Sequence, residues 1–129
     1  MEIKQRYTFK KEEKLKSRKT IEQLFREGKS FSNFPFRVLW KFSETPATAL
    51  QTGFAVSSKN FKKAVDRNRI KRLLREAYRL NKQPLHDAIE TGQKQVAVFM
   101  LFIDKTLPSL EELQNKMPLA IDKLIKALQ

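Results

Sequence analysis

Eight consecutive apolar residues, Val96 to Ile103 (VAVFMLFI), constrain the fold of this chain more than any other stretch. A bilayer-spanning helix needs about 20 such residues, so the run is far too short to cross a membrane. Its length and its lack of alternation fit a central strand covered on both faces. Such a strand needs helices packed on its sheet, and the sequence supplies them. Ser17 can cap a short helix in which Ile21, Leu24 and Phe25 share one face, with Gly28 at its end. Lys63 to about Asn81 reads as a long helix that Pro84 brings to a stop. Ser109 and Glu112 have the spacing of a capping box. Leu113, Met117, Ile121, Leu124, Ile125 and Leu128 follow at helical spacing, with Pro118 expected to kink or split that helix.

Two more strands are legible. From Phe34 to Phe42 the residues alternate, with Phe34, Phe36, Val38, Trp40 and Phe42 on one side and Pro35, Arg37, Leu39 and Lys41 on the other. Ser43 to Gln51 reads as a loop, and Thr52 to Ser57 as a strand with Phe54 and Val56 on one side. The order helix, strand, strand, helix, strand, helix defines an α+β two-layer sandwich around a central sheet. A length of 129 residues with no linker or repeat predicts one domain. Residues 1–16 read as an arm with little structure of its own, residues 1–13 being flexible and basic.

Charge narrows the function. There are 27 Lys+Arg against 14 Asp+Glu, a net charge of +13, and the excess is concentrated. Residues 59–82 hold ten basic and two acidic side chains, whereas residues 83–129 hold five and six. Concentrating like charge costs self-repulsion, which a polyanionic partner relieves. With no cysteine there is no disulfide, thiolate metal site or Cys nucleophile. The charged N-terminus MEIKQRYTFKKEEK lacks the apolar core of a secretory signal, so the chain reads as cytoplasmic.

On the helix from Lys63, the residues Ile70, Leu73, Leu74, Ala77 and Tyr78 form one apolar stripe. Asn68, Lys71, Arg72, Arg75, Arg79 and Lys82 gather opposite, and Arg67 and Arg69 flank the stripe. Cations at i,i+4 such as Lys71–Arg75 and Arg75–Arg79 repel one another, with only Asp66 and Glu76 as local relief. Arginine's planar fork suits bidentate contact with phosphate. A solvated basic face, or a membrane-surface or calmodulin-target helix, would share the charge but would not need the apolar stripe for a core. RNA is favoured over DNA, because no DNA-docking motif is visible and ten Phe accompany the cations. Phe25, Phe31, Phe34, Phe36 and Trp40 cluster near the first helix and strand, although any one of them also suits a core. A general RNA-binding or ribosomal-type protein is the alternative within this class. A free-standing nuclease is disfavoured: there is one histidine, His86, read as lying in a loop, and the carboxylates are scattered.

Lys63 to Glu76 (KAVDRNRIKRLLRE) resembles the signature of the bacterial ribonuclease P protein component, with Arg67-Asn68-Arg69 followed by Lys71, Arg72 and Arg75 as its RNR motif. Gly53 to Ser57 followed by Ser58-Lys59 is similar to that family's strand leading into a basic loop, and Leu24 to Gly28 to the end of its first helix. The likeness covers roughly residues 14–105. Three features depart from the pattern: the loop Ser58 to Lys63 is one residue longer than is common, Ile21 stands where an aromatic is frequent, and Ser58 replaces a lysine with Lys59 and Lys62 nearby.

The resemblance implies the order αβββαβα, with a fourth strand near Phe31 or Lys59 and a left-handed βαβ crossover around the RNR helix, against the general rule. It implies a protein subunit of a ribonucleoprotein endonuclease that removes the 5′ leader of precursor tRNA. The RNA performs the chemistry with Mg²⁺, and the protein alone, a monomer, is not catalytic. Arg67, Arg69, Lys71, Arg72, Arg75 and Arg79 would then meet phosphates of the catalytic RNA, and Asn68 a base edge or sugar hydroxyl. Phe25, Phe36, Lys59 and Lys63 would line a cleft for the single-stranded leader, between the sheet and the first helix. The expected partners are the catalytic RNA and precursor tRNA, with no protein-bound metal and no membrane.

Overall fold

The computed structural model describes residues 13–42 and 49–129. Residues 1–12, which make up nearly all of the expected flexible arm, lie outside the described residues, as do residues 43–48 of the expected loop. The elements are α1 (Arg18–Glu27), β1 (Lys29–Asn33), β2 (Phe36–Phe42), β3 (Leu50–Val56), α2 (Ala64–Asn81), α3 (Gln83–Gly92), β4 (Val96–Phe102) and α4 (Leu110–Leu128). The strands form one sheet in the order β1-β2-β4-β3, with β4 antiparallel to β2 and parallel to β3. The apolar run is therefore the central strand, buried along most of its length.

Pleating sends alternate residues to opposite faces. Phe36, Val38 and Trp40 of β2 and Val96, Val98, Met100 and Phe102 of β4 pack against Ile70, Leu74, Ala77 and Tyr78 of α2, Leu85 and Ile89 of α3, and Met117, Ile121 and Leu124 of α4. The other face presents Leu39, Ala97 and Phe99 to Leu15 and Leu24, with Ile21, Ala55 and Leu101 partly buried beside them. The α+β sandwich stands, and α1 adds partial cover on the second face.

Local chemistry sets the helix ends. Ser17 Oγ accepts from the Thr20 amide at 3.3 Å, and Ser109 Oγ accepts from the Glu112 amide at 3.1 Å. The Gly28 amide donates to Leu24 O at 3.0 Å, and a Cβ on Gly28 would lie 2.5 Å from that oxygen, so no other residue fits this exit unshifted. Pro118 does not split α4, because Leu113, Met117, Ala120 and Ile121 are buried around it and hold the helix across the lost hydrogen bond.

The fourth strand, expected near Phe31 or Lys59, is β1, around Phe31. The structure departs from the sequence reading at three other places. Phe34 and Pro35 form the turn joining β1 to β2, leaving Phe34 61 % exposed instead of on the strand's aromatic side. Pro84 ends α2 and also opens α3 in its first turn, so the order is αβββααβα and His86 is helical, not in a loop. Residues 13–15 are not an arm. The Leu15 amide donates to Thr52 O at 3.0 Å, Lys14 bridges Thr52 in parallel, and Leu15 is buried. The edge of β3 offers unpaired backbone groups that this segment takes up.

Candidate nucleic-acid interface

The apolar stripe of α2 is buried as expected, with Ile70, Leu74, Ala77 and Tyr78 in the core and Leu73 packed against it. On its outer face Asn68, Arg69, Arg72 and Arg75 are exposed, and Lys71 is half-buried. The other three cations are already engaged. Arg67 donates through one guanidinium nitrogen to Phe61 O and Lys62 O, both at 2.8 Å, which fastens the loop ahead of the helix. Arg79 pairs with Glu76 one turn back, and its hydrogen bond holds the Glu76 carboxyl below the usual carboxylate range. Lys82, expected on the cationic face, is 0 % exposed and bonds Glu13, with His86 Nε2 at 3.2 Å from the same carboxylate oxygen. The solvent-facing charge of α2 is thereby concentrated on Arg69, Arg72 and Arg75, with Lys71 beside them.

On the second face of the sheet, α1 lies beside an apolar surface that it covers only in part. Phe25 of α1 is 55 % exposed, its ring edge-on to Phe99 with centroids 5.7 Å apart. Phe99, Ala55 and Leu101 belong to the apolar cluster on this face. A Cβ on Gly53 would lie 2.8 Å from Phe99 Cδ1, so glycine lets that ring approach β3. Arg37, exposed and paired in register with Leu101, shares the face. Lys59 and Lys63 are exposed on the loop that leaves β3, where the Lys59 amide bonds Ser57 Oγ at 3.2 Å.

Phe36 does not belong to this surface. It is 0 % exposed in the core beneath the helices, on the opposite face of the sheet, and cannot stack on a base there. Sequence reasoning missed Phe99, Leu101 and Arg37. The signal for Arg37 was available, since the alternation places it opposite the aromatic side of β2.

Among the described residues, no three of His, Asp and Glu converge on a point where they could hold a metal ion. No helix among them is long and apolar enough to cross a membrane.

Fold and surface together define a basic α+β protein with a cationic helix on one side of its sheet and an apolar surface edged by Phe25 on the other. The family model for ribonuclease P matches residues 9–124. The chain is 38% identical over 108 residues to the ribonuclease P protein component of Porphyromonas gingivalis, covering 83% of this chain and 79% of the relative. It is 35% identical over 120 residues to that of Chlorobium phaeobacteroides, covering 84% and 82%. Among solved structures it superposes on the RNase P protein from Thermotoga maritima with a TM-score of 0.65 and 25% identity, over 86% of this chain and 96% of that one. The Staphylococcus aureus RNase P protein shares the fold, with a TM-score of 0.63 at 19% identity over 88% and 95%. The chain belongs to the ribonuclease P protein family.

Proposed function

We propose that this protein is the RNA-binding subunit of a ribonuclease P that matures the 5′ end of tRNA, with the outer face of α2 laid against the catalytic RNA. The observation that carries this reading is the exposed Asn68, Arg69, Arg72 and Arg75 surface within a chain of this family. Arg69, Arg72 and Arg75, with Lys71, contact phosphates, and Asn68 reaches a base edge or sugar hydroxyl. Arg67 acts mainly by fixing the loop that carries Lys59 and Lys63, and Arg79 is tempered by Glu76. The leader of precursor tRNA lies along the apolar surface between α1 and the sheet, where Phe25 and Phe99 offer ring surface and Arg37, Lys59 and Lys63 offer charge. Mg²⁺ is held mainly by the RNA of the holoenzyme. The protein carries no catalytic residue. Its contribution is to position substrate and to screen phosphate repulsion.

The test is cleavage of precursor tRNA at low Mg²⁺ by the protein, by a bacterial ribonuclease P RNA, and by the two together. Cleavage at the mature 5′ end in the mixture alone is the expected result. Cutting by the protein alone, or no stimulation of a compatible RNA, would overturn the proposal.

A narrower prediction concerns the apolar surface beside α1. Base stacking on an aromatic is worth about 1–3 kcal/mol, so Phe25→Ala should weaken holoenzyme binding of leader-bearing substrate by roughly tenfold. Binding of leaderless tRNA should be unchanged. Equal effects on both substrates would misplace the leader.

A further inference from the structure

A notch opens at the outer edge of β3, where the N-terminal segment, the strand and α2 meet. It encloses about 290 Å³ and is lined by Lys14, Leu15, Lys16, Thr52, Gly53, Phe54 and Arg75. Three of these residues are cations from two elements 59 or more positions apart in the chain, brought together by the fold. The segment is anchored at both its buried positions. Leu15 is inserted in the core beside Leu24 and Phe99, and Glu13 is pinned by Lys82 and His86. Lys14 and Lys16 flank Leu15, and both line the notch. The α2 wall is equally fixed, because Tyr78, one turn beyond Arg75, shares a buried 2.8 Å hydrogen bond with Thr52.

We infer that this notch is a phosphate-binding site for a polynucleotide backbone, built from Lys14, Lys16 and Arg75. Its position says what the site does. Arg75 belongs to the cationic face of α2, while Gly53 lies against Phe99 in the apolar surface on the other face of the sheet. The notch thus lies between these two surfaces and carries positive charge, and a strand passing from one to the other there would leave a phosphate in it. That phosphate belongs either to the catalytic RNA or to the leader, and both present the same group. The inference rests on the reading that α2 and the apolar surface face RNA.

The test uses the full-length Lys14→Gln/Lys16→Gln protein, with its thermal melt checked against the parent. Affinity is measured against salt in three settings: catalytic RNA alone, leader-bearing precursor on the holoenzyme, and mature tRNA on the holoenzyme. Loss of one phosphate contact should make the log–log salt slope shallower by about 0.7–0.9. It should weaken binding about fivefold at moderate salt. The change appears in the first setting if the phosphate is the catalytic RNA's, and only in the second if it is the leader's. Unchanged slopes in all three, with an unchanged melt, would overturn the site. Arg69→Gln/Arg72→Gln, measured in parallel, separates the two failures. If it weakens binding while the lysine variant does not, only the notch is wrong. If neither does, the reading of α2 itself has failed.

Discussion

The Arg69→Gln/Arg72→Gln protein is expected to bind the catalytic RNA roughly a hundredfold more weakly than the parent at moderate salt, with its fold intact. Both side chains are exposed on α2, and among the described residues neither pairs with a carboxylate. Removing them therefore relieves repulsion within the helix and leaves no buried group behind. Each hydrogen bond to a charged group contributes about 1.5–3 kcal/mol, which sets the order of magnitude. Two phosphates lost also make the salt slope shallower by about 1.4–1.8. Arg79→Gln is the internal comparison. Its guanidinium is held by Glu76, so its removal should cost far less affinity. A salt titration of RNA binding with all three proteins decides the matter. Equal losses for Arg79 and for the exposed pair would mean that charge alone counts and that the face geometry does not.

Lys82→Met is the second substitution with a large expected effect, and it acts on stability. The Lys82 side chain is fully buried and Glu13 nearly so, and the bond between them joins residues 69 positions apart. Breaking a buried ion pair from one side typically costs about 3–5 kcal/mol, and here it leaves the Glu13 carboxylate beside His86 without its buried ammonium. Against a total stability of about 5–15 kcal/mol, that is a large fraction. Denaturant unfolding should show the loss, and Glu13→Gln/Lys82→Met should recover much of it, because no charge is then stranded. Loss in the single variant below about 1 kcal/mol would show that water reaches the pair.

Periodicity and punctuation made most of the architecture legible before any coordinates. The unbroken run at 96–103 named the central strand, the stripe from Ile70 to Tyr78 named the packed side of α2, and Ser17 and Ser109 marked two helix starts. What escaped did so for physical reasons. β1 (KSFSN) is an edge strand with one apolar residue, so its pairing with β2 shows in backbone hydrogen bonds and not in composition. In α3, Leu85 and Ile89 at i,i+4 behind Pro84 were a usable signal that a proline read only as a stop conceals. Alternation placed Phe36 on the aromatic side of β2 but could not say that this side lies beneath the helices. Lys82 projected onto the cationic face because a helical wheel takes no account of a partner 69 positions earlier. For the site, the exposed part of α2 was readable as charge. Which cations were already occupied depended on the carbonyls of Phe61 and Lys62 and on the carboxylates of Glu76 and Glu13.

The strand in the middle of the sheet is the last one made. β2 and β3 do not pair with each other, and what joins them in the sheet is β4, which follows them by way of α2 and α3. A nascent chain leaving the ribosome can therefore close the β1–β2 hairpin early, but it cannot assemble the sheet until residue 102 has emerged. Through that interval the helix with the exposed arginines is already synthesised while the strand that backs it is not. The order of elements thus makes completion of the scaffold a late event in synthesis, and a chain cut short before β4 has two strand groups with nothing to unite them.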